Sequence, residues 1–390
     1  MGETQARYEA VRRYLVGERP VAICRTLGYS KPWLYKWLRR YDPTNLGWAQ
    51  TRSRAPHRLT AKSPPAVERR VCEIRQRLAQ TRYAQRGAFA IQWQLQQLGV
   101  QPLPEIWTIN RILHRHGLAG TRPHQARGTP YPALAAQRPH QVHQLDLVGP
   151  RDLTGGERFD GVHLIDVYSH AVALAAVPSQ QAPDVVEALV AGWQKLGCPR
   201  YLQVDNERSF RGSNRHPRRV GLLIRLCLYL GVEVVFIPER EPWRNGVIER
   251  FNQVYNQRFW QSQTFRDRTH VAAEWPHFAG FHTTQHRYAT LGQHTPWQVH
   301  SAHRRRRLSS RFTLHHQTLP WREGRVSFIR LTDSRGHVRF FSESFPVEAT
   351  LVHEYVKGTL TPRSEQLTFF HQGRRIKQDP YTVTKPKGAS

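Results

Sequence analysis

Val142-His-Gln-Leu-Asp-Leu-Val148 alternates in the manner of a half-buried strand, after more than a hundred residues of helical periodicity. A sheet therefore starts here. Downstream, Tyr201-Leu-Gln-Val-Asp205 is a second apolar run that closes on an aspartate. Trp243-Arg-Asn-Gly246 then reads as a turn, and Val247-Ile-Glu-Arg-Phe-Asn252 opens a helix. If the two strands are neighbours, Asp146 and Asp205 project near one point, and a helix start supplies Glu249 as a third carboxylate. Carboxylates gathered in a basic chain point to a magnesium site acting on a phosphate backbone.

The chain is indeed basic. Its 390 residues hold 58 Lys plus Arg against 29 Asp plus Glu, a net charge of +29. Such an excess implies a polyanionic partner, most simply nucleic acid, and argues against an enzyme of small neutral substrates. Apolar residues make up 39%, enough for real cores, and the length predicts two to four domains. The run Leu222–Leu230 carries Arg225 and is too short to span a bilayer. Met1 to Val16 is charged throughout and does not read as a signal peptide, so a cytoplasmic protein with no membrane partner is expected. Cys24, Cys72, Cys198 and Cys227 form no CxxC pair, which excludes zinc-finger and disulfide-scaffold readings. The 21 histidines show no metal-ligand spacing and read as surface or polar-contact residues.

Residues 1–45 read as a helix-turn-helix DNA-binding domain. Glu3–Val16 and Pro20–Leu27 are helices, Gly28-Tyr-Ser30 is a turn with Ser30 as N-cap, and Lys31–Tyr41 is the third helix. Its Leu34, Trp37, Leu38 and Tyr41 have core spacing, which leaves Lys31, Lys36, Arg39 and Arg40 for the major groove. A basic linker (46–65) leads to a second helical unit (66–118), with helices over Val67–Gln80, Ala88–Leu98 and Ile106–His116. There Arg111 and Arg115 are candidate DNA contacts, although pattern alone does not separate a second reader from a packing domain. A Pro-, Arg- and Gln-rich linker (119–139) follows.

From 140 to 300 the elements run strand, strand, strand, helix, strand, helix, strand, helix, which predicts a mixed α/β sheet flanked by helices. Arg304–Arg307 lies in a basic connector (301–315), and short strands with turn signals over 316–390 predict a small β-barrel.

This order, with Leu145-Asp-Leu147, Val204-Asp-Asn206 and Asn245-Gly-Val-Ile-Glu-Arg-Phe-Asn252, is similar to the ribonuclease-H-like core of retroviral integrases and bacterial insertion-sequence transposases. Phe281-His-Thr-Thr-Gln-His-Arg-Tyr-Ala-Thr-Leu-Gly-Gln-His-Thr-Pro296 resembles the closing segment of such transposases. The resemblance implies a DDE recombinase in which Asp146, Asp205 and Glu249 hold two Mg²⁺ ions, with Mn²⁺ able to substitute. It implies a homo-oligomer on double-stranded DNA that exposes 3′-hydroxyl ends at terminal inverted repeats and joins them to target DNA. The implied location is the bacterial cytoplasm, at the nucleoid; whether an ATPase helper is needed is left open. The alternative is a sequence-specific DNA-binding regulator with an inactive core, and a nuclease of RNA–DNA hybrids would leave the helix-turn-helix without purpose.

Two departures from that family bear on the site. Relatives commonly place 35 residues between the second and third acids; here that spacing reaches Glu241, while 43 residues separate Asp205 from Glu249. Glu241 precedes Pro242, which disfavours a helix, whereas Glu249 starts an amphipathic one. An insertion within Arg208–Val220 accounts for the excess. Glu207 replaces the glycine usual in relatives and reads either as an extra acid near the metals or as surface. Asp166, the rival carboxylate, sits before a hairpin turn and reads as structural. Arg240, Arg244 and Arg250 flank the site as candidate phosphate contacts, and Trp243 is expected to pack under its loop.

Overall fold

The computed structural model describes residues 2–45, 47–51, 63–119, 131–212, 218–314, 319, 324–341 and 343–384. Most of the two linkers, and residues 213–217 of the expected insertion, lie outside them. The chain divides into two compact units, Met1–Lys62 and Ser63–Ser390.

The first unit holds α1 (Glu3–Leu15), α2 (Pro20–Leu27) and α3 (Lys31–Leu38). Gly28 stops α2 in the left-handed conformation, at φ +75°. Ser30 caps α3 by accepting from the Trp33 N–H at 3.4 Å. Ala10, Ile23 and Leu34 form the core. α3 ends at Leu38, one turn short of the expected Tyr41. The guanidinium groups of Arg7 and Arg40 lie 4.2 and 5.1 Å from the Trp37 ring.

The second unit begins with α4 (Pro65–Gln80), α5 (Ala88–Gln97) and α6 (Ile106–Arg115), packed through Val71, Ile74, Ile91, Leu95, Ile109 and Ile112. These helices are not free-standing. The Arg82 guanidinium meets Glu274 at 2.6 Å, and His286 Nε2 donates to the Tyr83 carbonyl at 2.8 Å.

The sheet that follows is wider than the sequence predicts. β1 (Val142–Asp152), β2 (Arg158–Asp166) and β3 (Val172–Val177) form an antiparallel meander. α7 (Ala182–Leu196) crosses over to β4 (Tyr201–Val204), which pairs parallel with β1. Short α8 (Arg208–Arg211) and α9 (Leu222–Leu230) lead to β5 (Glu233–Phe236), parallel to β4. α10 (Gly246–Tyr255), α11 (Arg268–Gln285) and α12 (Pro296–Ser301) complete the core. The chain then returns as β6 (Val326–Leu331), the hairpin β7 (His337–Phe340) and β8 (Glu343–Pro346), and β9 (Tyr355–Thr361), β10 (Gln366–His371) and β11 (Arg374–Pro380).

Here the expected C-terminal β-barrel is corrected. Among the described residues the strands form one open sheet, ordered β11-β10-β9-β6-β5-β4-β1-β2-β3, with β7-β8 apart. β6 pairs parallel with β5 through Val234↔Val326 and Phe236↔Phe328. Without it β5 would be an edge with open backbone donors and acceptors. The first five residues of β6 are buried, as suits a strand covered on both faces. Its two buried polar side chains bond within the seam: Ser327 donates to Glu233 at 2.6 Å, and Arg330 donates to the Ile237 carbonyl at 2.9 Å. Gly358 on β9 lets Phe340 approach so closely that a Cβ there would lie 2.6 Å from the ring.

The polar segment after β4 leaves and returns at one neck. Gly221 donates to the Arg211 carbonyl at 3.1 Å, and a side chain at Gly212 (φ +95°) would meet Gly221 backbone at 2.9 Å.

Candidate active site

β1 and β4 lie side by side with Val142↔Tyr201, His143↔Leu202 and Gln144↔Gln203 in register. Two residues further, the same register brings Asp146 level with Asp205, on the face that carries Gln144 and Gln203. Those glutamines place the third acid. Gln203 Nε2 donates to the Arg244 carbonyl and to Asn245 Oδ1, both at 2.9 Å, and Gln144 Oε1 accepts from the Ile248 N–H at 2.9 Å. The start of α10 is thereby tied to the strands one step before their aspartates, and Glu249 falls in its first turn.

The acids feel one another. Burial first, then the charges of Asp205 and Glu249, raise the Asp146 pKa to about 7, against the Leu147 N–H and Asn252. Burial, with the Glu207 charge, raises Asp205 to about 6, against the Glu207 N–H. Among the described residues no Lys or Arg forms an ion pair with Asp146, Asp205 or Glu249. Neighbouring carboxylates without a compensating cation fit a hard divalent ion, which would relieve their repulsion. Glu207 is exposed, donates its backbone N–H to Asp205 Oδ1 at 3.1 Å, and stands close enough for its charge to act there.

Asp146 is oriented by a relay that the sequence reading missed. Asn252, one turn after Glu249, donates Nδ2 to Asp146 Oδ2 at 2.6 Å. Its Oδ1 must then accept, so fully buried His163 carries its proton on Nδ1, 2.7 Å away. Burial holds His163 neutral, its pKa lowered to about 4. The signal was available: Asp146↔His163 are register partners in adjacent strands.

Glu241, which the 35-residue spacing nominates, is otherwise engaged. Its carboxylate takes Arg244 Nε at 2.8 Å and the Tyr355 hydroxyl at 2.8 and 2.9 Å. Arg244 also lies over the Tyr131 ring at 4.0 Å, so it braces this cluster instead of facing solvent. Arg240 and Arg250 are exposed beside the site. Trp243 is 58% exposed, which corrects the expectation that it packs under its loop. Asp166 lies at the other end of the β1–β2 ladder, paired with His143. Lys31, Lys36 and Arg39 are exposed on or beside α3, with Arg40 half-buried against Trp37. On α6, Arg111 lies 5.5 Å from the ring of Trp107, itself 59% exposed, while Arg115 pairs with Glu68 at 2.8 Å.

A family model described as a homeodomain-like domain matches residues 2–46. A second, described as an integrase core domain, matches residues 230–296, a span that holds Glu249 and the closing segment but neither aspartate. Solved structures similar to this chain include the HTLV-2 integrase catalytic core domain in complex with magnesium, 15% identical, covering 42% of this chain and 98% of that one, with a TM-score of 0.31. The simian T-cell lymphotropic virus intasome in complex with the PP2A regulatory subunit B56 gamma is 13% identical, covers 76% and 94%, and has a TM-score of 0.38. The BIV integrase catalytic core is 18% identical, covers 42% and 95%, and has a TM-score of 0.31. No curated protein matches the sequence. A homeodomain-like domain and an integrase core in one chain make it a DNA-binding protein. No helix among the described residues is long and apolar enough to cross a membrane.

Proposed function

We propose that the protein is a DNA transposase that frees 3′-hydroxyl ends of a mobile element and joins them to target DNA. The observation that carries this reading is the nearness of Asp146, Asp205 and Glu249, carboxylates with no ion-pair partner among the described residues, in a chain of net charge +29. Those three residues would hold Mg²⁺ or Mn²⁺. A bound pair of such ions supplies activation of the attacking oxygen and neutralisation of the leaving one. In the first displacement water attacks phosphorus and the bond to the 3′ oxygen breaks, leaving a 3′-hydroxyl and a 5′-phosphate. In the second, that 3′-hydroxyl attacks a target phosphate and displaces another 3′ oxygen. Both are in-line transfers, so the protein contributes positioning and charge.

Within this reading Asn252 and His163 hold Asp146 in one orientation, and the glutamine pair holds Glu249 opposite it. Arg240 and Arg250 grip phosphates at the rim, and Trp243 offers an aromatic face to a displaced base. Lys31, Lys36, Arg39 and Arg40 read the element's ends, with Arg111 on the second helical unit as a further contact. Two ends must be held at once, so the reading includes a homo-oligomer on DNA.

The test uses end-containing DNA with and without Mg²⁺. Asp146→Ala, Asp205→Ala and Glu249→Ala should each abolish cleavage and joining while sparing DNA retention. Full activity of Glu249→Ala beside a dead Glu241→Ala would overturn the third assignment. Retention without any cation-dependent nicking by the wild-type chain would leave only a DNA-binding regulator.

A further inference from the structure

A second cluster of metal-ligand side chains lies beside the β1–β2 ladder, three register steps along β1 from Asp146. Ligand atoms of His140, Asp166 and His300 all fall within 4.8 Å of one another. They come from the segment before β1, the end of β2, and α12. Asp166 and His300 are 0% and 1% exposed, and both ring nitrogens of His140 are shut off from solvent. His143, also 0% exposed, places Nε2 3.3 Å from Asp166 Oδ2. That separation matches two ligand atoms on one tetrahedral zinc, about 3.3 Å apart for bonds of about 2.0 Å.

The donors are prepared for a cation. His300 Nε2 lies 3.0 Å from the Leu196 carbonyl, to which it must donate, so in the neutral ring Nδ1 carries the lone pair. Nδ1 faces inward, 3.0 Å from Ser169 Oγ and 4.0 Å from Asp166 Oδ2. A ligating histidine whose other nitrogen donates to a backbone carbonyl is the usual arrangement in metal sites. Neither ring nitrogen of His140 or His143 meets a well-formed hydrogen bond among the described residues. His143 Nε2 and His300 Nδ1 thus lie 3.3 and 4.0 Å from Asp166 Oδ2, and among the described residues no Lys or Arg pairs with that carboxylate. Burial holds His140 and His300 below the usual imidazole range, His300 to about 4. His143 and the backbone N–H groups of Ser169 and His140 outweigh burial and keep Asp166 well below the usual carboxylate range. A carboxylate flanked by imidazoles has the softness for a borderline divalent ion, and too few oxygens for Mg²⁺.

We propose that His140, Asp166 and His300 form a structural Zn²⁺ site, with His143 beside its fourth position, separate from the carboxylate trio. The ion ties the entry of the core, the β2–β3 turn and α12 together. It sits about 10 Å along β1 from Asp146, three residues at about 3.3 Å each.

The experiment uses the full chain, stripped with a chelator and titrated with Zn²⁺ and separately with Co²⁺, in wild type and in an Asp205→Ala background that weakens the carboxylate trio. One equivalent of Zn²⁺ should bind in both, raise the melting temperature, and be displaced into a Co²⁺ form with the visible absorption of a tetrahedral nitrogen–oxygen site. His140→Gln and His300→Gln should each weaken Zn²⁺ by more than the roughly 10–100-fold that a lost outer-shell partner costs. Stripped wild-type chain that stays folded and takes up no equivalent overturns the proposal. So does uptake that Asp205→Ala abolishes, or that both histidine variants retain. Should His300→Gln fail to fold, His140→Gln and the wild-type Co²⁺ spectrum decide alone, since His140 sits at the cluster's outer side.

Discussion

Asp146 and Asp166 stand on paired strands, three register steps apart, and take opposite charge preferences. Burial penalises both carboxylates. Asp166 answers that penalty with donors: the N–H groups of His140, Tyr168 and Ser169 and the Ser169 hydroxyl all point at it, between 2.6 and 3.1 Å. Among the described residues Asp146 has only the Leu147 N–H and the Asn252 amide as donors, and it faces two more acids. The same residue type on the same ladder is a locked anion at one end and an under-satisfied one at the other. Number of donors, more than depth, decides whether a buried carboxylate is held as an anion.

The comparison breaks most visibly if Asp166 is neutralised. Asp166→Asn keeps the shape but replaces one acceptor oxygen with an N–H₂ that faces at least one backbone N–H donor. Losing charge-assisted hydrogen bonds in a buried site should cost about 3–5 kcal/mol. A melting temperature lowered by about 10 °C or more is expected by calorimetry, and an unchanged one would refute the donor argument.

At the other end the sign reverses. Asp146 and Asp205 have folded pKa values, about 7 and about 6, above those of an unfolded chain. Their contribution to stability is therefore full below about pH 4 and is lost as pH rises through 6 to 7. Metal-free protein should melt lower at about pH 8 than at about pH 5 on their account, and the gain from added Mn²⁺ should grow over that range. Asp146→Asn should raise the metal-free melting temperature by a few degrees at the higher pH while removing activity, the reverse of Asp166→Asn. A destabilised Asp146→Asn would mean that its carboxylate is held by donors after all.

How much of this could be read beforehand follows the same division. Strand order through β5 and the meeting of the three acids were legible, because alternation, turn residues and the acids all lie in short local patterns. The separation of Glu241 from Glu249 was legible too, since Pro242 bars a helix at one and an amphipathic stretch starts at the other. The fusion of β6 to β5 was not. Short strands with turns look alike whether they close on themselves or extend an existing edge, and Ser327 and Arg330 disguise a strand buried on both faces. α11 was missed because Pro276 interrupts its pattern, although Val271, Trp275, Phe278, Ala279 and His282 have helical spacing. The histidines misled for a different reason. His140, His143, His163 and His300 are brought to buried sites by pairing across strands and helices, which spacing along the chain does not encode.

The relay behind Asp146 gives a smaller, sharper test. Asn252→Ala removes one of only two donors, so the carboxylate should become harder to ionise and the acidic limb of the pH–rate profile should move upward. Loss of an outer-shell partner predicts a fall in rate of roughly 10–100-fold. His163→Phe keeps the buried volume but frees the Asn252 amide to rotate, and should give a milder form of the same shift. A fall in rate with an unmoved profile would make both residues packing elements only.

Asp205 lies between the extremes, and its bracing comes from the C-terminal strands. Arg330 on β6 donates to Asn206 Oδ1 at 2.6 Å and to the Ile237 carbonyl at 2.9 Å, and Asn206 donates back to that carbonyl at 2.7 Å. Burial lowers the Arg330 pKa to about 10, so it stays charged at neutral pH. Arg330→Met leaves the apolar packing but removes both bonds, and Asn206 keeps only the carbonyl. Because Arg330 acts two steps from the carboxylate, the loss in rate should be smaller than the roughly tenfold lower bound for a direct partner. It should appear as a higher Mg²⁺ requirement for cleavage with DNA affinity unchanged. Arg330→Lys, which can replace one bond but not the fork, should fall between. If Arg330→Met instead weakens DNA retention and leaves the Mg²⁺ requirement alone, the C-terminal strands serve the duplex and not the acids.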